Sequence, residues 1–209
     1  MNKKNIFISL VAFILVLLAL DIVVLETGQI HSTAFMREDS SPKQQIWVPL
    51  SSISSYLRQA VIVSEDGTFY EHQGIDTHEL KESIKTNLER GKFARGFSTI
   101  TMQVARNLYL SRDKTIWRKL AEIAITFKLE LLLSKQRILE IYLNVAEWGD
   151  GIYGAEAAAR HYFQKSAAQL SKEEAVFLAS ILPSPRHWGK DPRSEIVQHR
   201  MNVIRRRMD

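Results

Sequence analysis

The 209 residues carry 28 Lys and Arg against 23 Asp and Glu, a formal charge of +5, and no cysteine. The lack of cysteine excludes disulfides, thiolate metal sites and thiol nucleophiles, so any chemistry must use carboxylates, amines, guanidiniums and amides. The length suits one compact domain with an appendage, and the modest positive balance suits an anionic lipid or a phosphorylated substrate.

The appendage comes first. After Asn5 the run "IFISLVAFILVLLAL" is interrupted by Asp21 and resumes to Leu25. A near-continuous apolar stretch of about 20 residues matches, as a helix, a hydrocarbon core of roughly 30 Å. Lys3 and Lys4 ahead of it favour a cytoplasmic N-terminus and put the rest of the chain outside. The stretch is long for the apolar core of a cleaved signal peptide, and no small-x-small site follows it cleanly. Residues 1–25 are therefore expected to be a cytoplasmic tip and transmembrane anchor. Residues 26–46 are polar without apolar period and read as a tether, with a short strand at "IWVPL". Residues 47–209 form the folded domain, and nucleic acid is not a partner for a domain held outside the cytoplasm.

From Leu57 onward the apolar residues recur at helical spacing: Leu57, Ala60 and Val61, then Leu80, Ile84 and Leu88, then Ile100, Val104 and Leu108. The domain is thus mostly α-helical, with seven or eight helices. Asp76 with Glu79 and Ser171 with Glu174 read as capping boxes, Gly91 follows a helix and Pro183 ends another. "RGKFARGFS" (90–98) is too rich in glycine for a helix and reads as a mobile loop.

The chemistry-bearing residues follow in order. In "VSEDGTFYEHQG" (63–74) a helix delivers Glu65 into a glycine turn, where a carboxylate is firmly held yet faces a cleft; surface decoration of a helix end is the alternative. His72 and His78, six apart, do not share a helix face, and a structural hydrogen-bonding role suits them better than a metal. "GFSTITMQVARNLYL" (96–110) opens a helix with hydroxyls and amides that form an anion site, with Arg106 two turns on; simple capping by Ser98 or Thr99 is the alternative. In "DKTIWRKLAEIAITFKLELLL" (113–133), Glu122 stands among apolar residues and so requires partners, Arg118 being four residues before it. Glu140, Tyr142 and Asn144 read as internal braces. The last helix, Ser194 to Met208, places Val197, Met201, Ile204 and Met208 on one face and Arg200, Arg205, Arg206 and Arg207 on a solvated or headgroup-facing remainder, with no catalytic role.

Taken together and in this order, "EDGTFYEHQG", "GFSTITMQVARN", "RKLAE", "KQRILEIYLN" with its glycine-rich continuation, and "LPSP" resemble the peptidoglycan glycosyltransferases of lysozyme-like fold, specifically the monofunctional membrane-anchored members. The resemblance covers nearly all of residues 55–193. It implies a lysozyme-like α-helical domain behind an N-terminal transmembrane helix. It also implies that lipid II is polymerised onto a growing glycan strand, with inversion and release of polyprenyl pyrophosphate. Carried over block by block, Glu65 matches the catalytic base and Glu122 the second essential acid. Ser98, Thr99, Gln103, Arg106, Arg118 and Lys119 match residues beside the donor pyrophosphate. Met102 stands where the family commonly has Gln, and Arg106 where it commonly has Lys.

No cofactor is required by this reading, a divalent cation (magnesium or manganese) at the pyrophosphate being left open. Membrane lipid and other cell-wall synthesis proteins are the further partners. The implied location is the bacterial cytoplasmic membrane, single-pass, with the catalytic domain on its periplasmic or extracellular side. Cations near Glu65 are expected to lower its pKa and keep it ready as a base. A glycan-cleaving enzyme of the same fold, which needs a carboxylic acid of raised pKa, is the first alternative; a non-catalytic membrane-bound scaffold is the second.

Overall fold

The computed structural model describes residues 23–91, 97–113 and 115–209. Most of the expected anchor, residues 1–22, lies outside the described residues, as does the 92–96 part of the glycine-rich loop. Among the described residues no helix is long and apolar enough to cross a membrane.

The domain is mostly helical. A one-turn helix α1 (Ala34–Glu38) and a two-residue strand β1 (Gln44–Gln45) precede the long helices α2 (Ser55–Glu65), α3 (Thr77–Arg90), α4 (Ile100–Tyr109), α5 (Ile116–Leu132) and α6 (Lys135–Val145). Strands β2 (Glu147–Gly149) and β3 (Ile152–Tyr153) follow, then α7 (Ala155–Phe163), α8 (Lys172–Ile181), the short α9 (Pro185–Trp188) and α10 (Glu195–Met208). Caps fix many of the starts. Asp76 accepts from the Glu79 amide, Thr99 from Met102, Thr115 from Arg118 and Ser134 from Arg137, while Ser171 and Glu174 form a reciprocal box. Each such cap stabilises its helix by about 1 kcal/mol. Gly91 ends α3 in the left-handed region at φ 58°.

Two helical groups build the core. Helices α2, α8 and α10 pack on one another, and α4 packs on both α5 and α6. Leu57, Ala60 and Val61 of α2 are fully covered, as are Ile138, Leu139, Ile141 and Leu143 of α6. A buried side chain of this size contributes roughly 1.5–3 kcal/mol. The run of small buried alanines 157–159 in α7 allows close approach next to the three-stranded sheet, in which β3 lies between parallel β1 and antiparallel β2.

One expectation is corrected here. The segment read as a free tether packs onto the domain. Phe35 and Met36 are buried, and α1 lies against α4. Gln45 Nε2 donates to Ile30 O (2.8 Å) and Asn144 O (2.9 Å), and Arg137 Nε donates to Leu25 O at 2.7 Å. The strand forms at Gln44–Gln45, just before "IWVPL", where it pairs with Ile152 and Tyr153. One helical turn is too short to display a period, and its main-chain partners are about a hundred residues away.

Candidate active site

Helix α2 ends at Glu65 because Asp66 (φ −163°, ψ 72°) leaves the helical region. The Asp66 carboxylate then ties two elements together. Its Oδ2 accepts the Ile100 amide at the start of α4 (2.9 Å), and its Oδ1 accepts from His72 Nε2 (2.8 Å). Thr68 donates to Asp76 at 2.5 Å, and fully buried Phe69 holds Tyr70 and His72 edge-on. The acids and aromatics of "EDGTFYEHQG" thus make a braced turn that presents Glu65 at the junction of the two helical groups.

Glu65 Oε2 accepts from Gln103 Nε2 (3.1 Å), Oε1 accepts from Ser64 Oγ (3.2 Å), and Arg200 Nη2 stands 3.6 Å from Oε1. Gln103 is oriented in turn by Tyr142, whose hydroxyl donates to its Oε1 at 3.1 Å. Burial pushes the Glu65 carboxyl above its ordinary range, against the pull of Gln103, Arg200, Ser64 and Arg106. This corrects the expectation that cations would lower it. Desolvation of a carboxylate at the seam of two packed groups outweighs them, and Arg118 and Lys119 are engaged elsewhere.

They hold Glu122. Its fully buried carboxylate accepts from Arg118 Nη1 and, at 2.7 Å, from Lys119 Nζ. Lys119 also reaches Phe97 O at 3.4 Å, a residue of the cavity wall described next. Glu122 is thus paired with two cations on its own helix.

Glu65 opens onto a cavity of about 390 Å³ whose wall includes Gly67, Phe97, Ser98, Thr99 and Arg207. The anion site expected at the start of α4 is largely filled from within. Asp66 takes the Ile100 amide, and Thr99 takes the Met102 amide while donating to Gly74 O at 2.6 Å. The Asp66 carboxylate already supplies the negative charge that a helix N-terminus attracts. Ser98 differs, because its Oγ is buried without a partner, a condition that costs about 1–3 kcal/mol until a ligand or water answers it.

Arg106 lies apart from Ser98. With Gln103, Arg112, Tyr142 and Phe35 it lines a second cavity of about 170 Å³, and its Nε is buried without a partner. Met102 is buried and apolar, so its departure from the usual Gln removes no group from either cavity. Among the described residues no group of three or more His, Asp or Glu could hold a metal ion.

Sequence reasoning missed Arg200 and Arg207. Val197, Met201 and Ile204 of α10 are buried as the stripe requires, yet Arg200 turns inward and Arg207 Nη1 donates to Val63 O (3.0 Å) at the cavity rim. The available signal was position: Arg200 follows Val197 by three and precedes Met201, on the edge of the buried face.

The chain is thus a mostly helical domain with a partly buried acid at a polar cleft. Residues 31–209 match the family model described as Transglycosylase, and the chain belongs to that family. Among its relatives, the biosynthetic peptidoglycan transglycosylase of Janthinobacterium sp. (strain Marseille) is 46% identical over 187 residues, covering 85% of this chain and 81% of that protein. The protein of the same description from Alcanivorax borkumensis is 48% identical over 179 residues, covering 85% and 73%. That from Nitrosospira multiformis is 47% identical over 162 residues, covering 78% and 70%.

Proposed function

We propose that this chain polymerises lipid II into peptidoglycan glycan strands by inverting glycosyl transfer, and that Glu65 removes the proton from the acceptor's 4-hydroxyl. The family match and the relatives' printed name support the reaction class. Within this family reading the helical domain is of lysozyme-like type. The observation that carries the role of Glu65 is its setting: the carboxylate ends α2 at a cavity, oriented by Gln103 and Ser64, with Arg200 as counter-charge.

In a single displacement the acceptor oxygen attacks the donor's anomeric carbon, its proton passes to Glu65, and the bond to the pyrophosphate oxygen breaks. A pyrophosphate is a weak base, so the leaving group needs positive charge more than a proton donor. Arg118 and Lys119, held by Glu122 behind Phe97, and the partnerless Ser98 hydroxyl are the groups assigned to it; Thr99, whose hydroxyl is committed to the helix start, acts by holding that wall. Arg106 and Gln103 face the second cavity, which suits the other sugar-phosphate chain. A divalent cation at the pyrophosphate would draw its ligands mainly from the phosphates.

The raised Glu65 carboxyl is the one observation that favours cleavage, because an acid catalyst must hold its proton. It serves synthesis equally, since a base accepts a proton better as its pKa approaches the working pH. Cleavage by the two-carboxyl route also needs a second carboxyl free to act at the cleft; on the cavity wall beside Glu65, Asp66 is committed to the Ile100 amide and His72, and Asp76 to Thr68 and the Glu79 amide.

Helix α5 supports a membrane-side location in the cell envelope. Its polar Glu122 and Thr126 are buried, whereas Trp117 (77% exposed), Leu120, Phe127 and Leu131 (85%) form an outward apolar stripe. Such a face suits contact with the bilayer that carries a lipid-linked donor.

Incubating the purified protein with lipid II and sizing the product tests the reading. Long glycan is expected, and soluble fragments released from preformed glycan would overturn it. Glu65→Gln should lower turnover by roughly 10²–10⁴ while donor binding survives.

A further inference from the structure

We infer that Arg200 is a positioning residue for Glu65, placed by the C-terminal helix to hold the carboxylate in its reactive orientation both directly and through Ser64. This rests on the reading of Glu65 as the base. The side chain is fixed at several points. Nε donates to Ser180 O at 2.9 Å, Nη2 donates to Ser64 Oγ at 3.2 Å, and the guanidinium lies 5.5 Å over the Trp188 ring. Three elements, α8, α2 and α9, thus decide where one charge on α10 sits.

Ser64 has a single proton. With its oxygen accepting from Arg200, that proton can go to Glu65 Oε1 (3.2 Å) or to Ala179 O (3.4 Å), and the nearby carboxylate is both closer and charged. Arg200 therefore polarises the hydroxyl toward Glu65 while standing 3.6 Å from the same oxygen.

The spacing differs from that of an arginine whose purpose is an ion pair. Five residues further along the same helix, Arg205 clamps Glu173 through both Nε and Nη2 at 2.6–3.1 Å on the surface. A clamp of that kind would hold Glu65 ionised and rigid, whereas a stand-off through a hydroxyl lets the carboxyl take up and return a proton once per cycle. Arg200 is mostly covered by protein, and burial works against its charge while Glu65 supports it. The pair is mutually dependent.

The ionisable and polar groups facing Glu65 are Arg200 from α10, Ser64 and Asp66 beside it, Gln103 and Arg106 from α4, and Tyr142 from α6; Arg207 faces Arg200. Removing Arg200 takes away the largest favourable charge on the carboxylate, so Glu65 should ionise at higher pH. In lipid II polymerisation by the full chain, Arg200→Met is expected to move the acid limb of the kcat/KM profile upward by about 1 pH unit or more. The rate below the limb should fall about tenfold for each unit moved, with activity recovering above it. Arg200→Lys should restore part of the displacement, and Ser64→Ala should move the limb the same way by less.

Thermal melting is measured for each variant. A uniform loss of activity at every pH with the limb unmoved overturns the assignment, and so does an unmoved limb in Ser64→Ala should Arg200→Met not fold. Full turnover by Glu65→Gln would remove the reading of the base and this inference with it. An inactive Glu65→Gln beside an unmoved limb in the Arg200 variants overturns the Arg200 assignment alone.

Discussion

Glu65, partly buried, and Glu122, fully buried, both stand beside cations, and their contacts differ. Glu65 accepts hydrogen bonds from the neutral Gln103 and Ser64 and has the Arg200 guanidinium at 3.6 Å, while burial pushes its carboxyl up. Glu122 is fully buried and paired with both Arg118 and Lys119. Glu122→Gln would leave those two cations without their anion, and breaking a buried pair costs about 3–5 kcal/mol, less here because Lys119 is a third exposed. The melting temperature should drop by about 5–10 °C, and donor binding should weaken as Lys119 leaves Phe97. Unchanged melting and binding, read by calorimetry and donor titration, would remove the anchoring role. Asp39 offers a test by pH. Burial alone would raise its carboxyl, but the Ser41 amide, the Tyr153 hydroxyl and Arg186 bring it down to about 2 from an ordinary 3.8. A depressed acid stabilises the fold above the unfolded value and stops doing so as pH falls through the folded one. Asp39→Asn should therefore cost about 1.5–3 kcal/mol at pH 7. The gap between variant and parent in urea titrations should close as the pH falls from about 4 towards 2.

At the scale of elements, the start of α4 is set by a turn 25 residues earlier in the chain. Gly74 adopts φ +87°, and its carbonyl accepts the Thr99 hydroxyl that caps the helix. A Cβ at Gly74 would meet Thr126 Cγ2 at 2.8 Å and Glu130 Cγ at 2.9 Å on α5. Gly74→Ala thus combines a disfavoured backbone with crowding and should destabilise by about 1–3 kcal/mol. Because Ser98 and Thr99 ride on this contact, turnover should fall further than melting alone explains; a variant with parental turnover and a lowered melting temperature would detach Gly74 from the site. The turn was legible as glycine-bearing, but not its contact with α5, which joins residues about 50 positions apart.

Across the whole molecule, the segment before α2 is part of the domain. Phe35 packs under Arg112 at 4.2 Å and lines the second cavity, Asp39 pairs with Arg186, and β1 adds an edge strand. Removing residues 1–22 is expected to leave the melting temperature nearly unchanged. Removing 1–46 also strips buried Leu25, Ile30, Phe35 and Met36, several apolar side chains worth roughly 1.5–3 kcal/mol each when fully buried. The longer truncation should melt many degrees lower or fail to fold, and equal melting of the two would return the segment to the status of a tether.

The amino-acid sequence by itself determined the helical class, because the 3.6-residue spacing of Leu57, Ala60 and Val61 or of Ile100, Val104 and Leu108 is local information, and the caps at Asp76, Thr99 and Ser171 are readable within four residues. It also determined the candidate acids, since Glu65 at a helix end and Glu122 within an apolar run are anomalies in any fold. What only the tertiary structure decided was which charges meet between helices. The pairing of Arg118 with Glu122 was readable from their spacing of four, but that Glu65 would receive Arg200 from a helix 135 residues later, and a desolvation stronger than its cations, was not. Burial and long-range pairing depend on how the two helical groups close on each other, and no spacing along one helix encodes that.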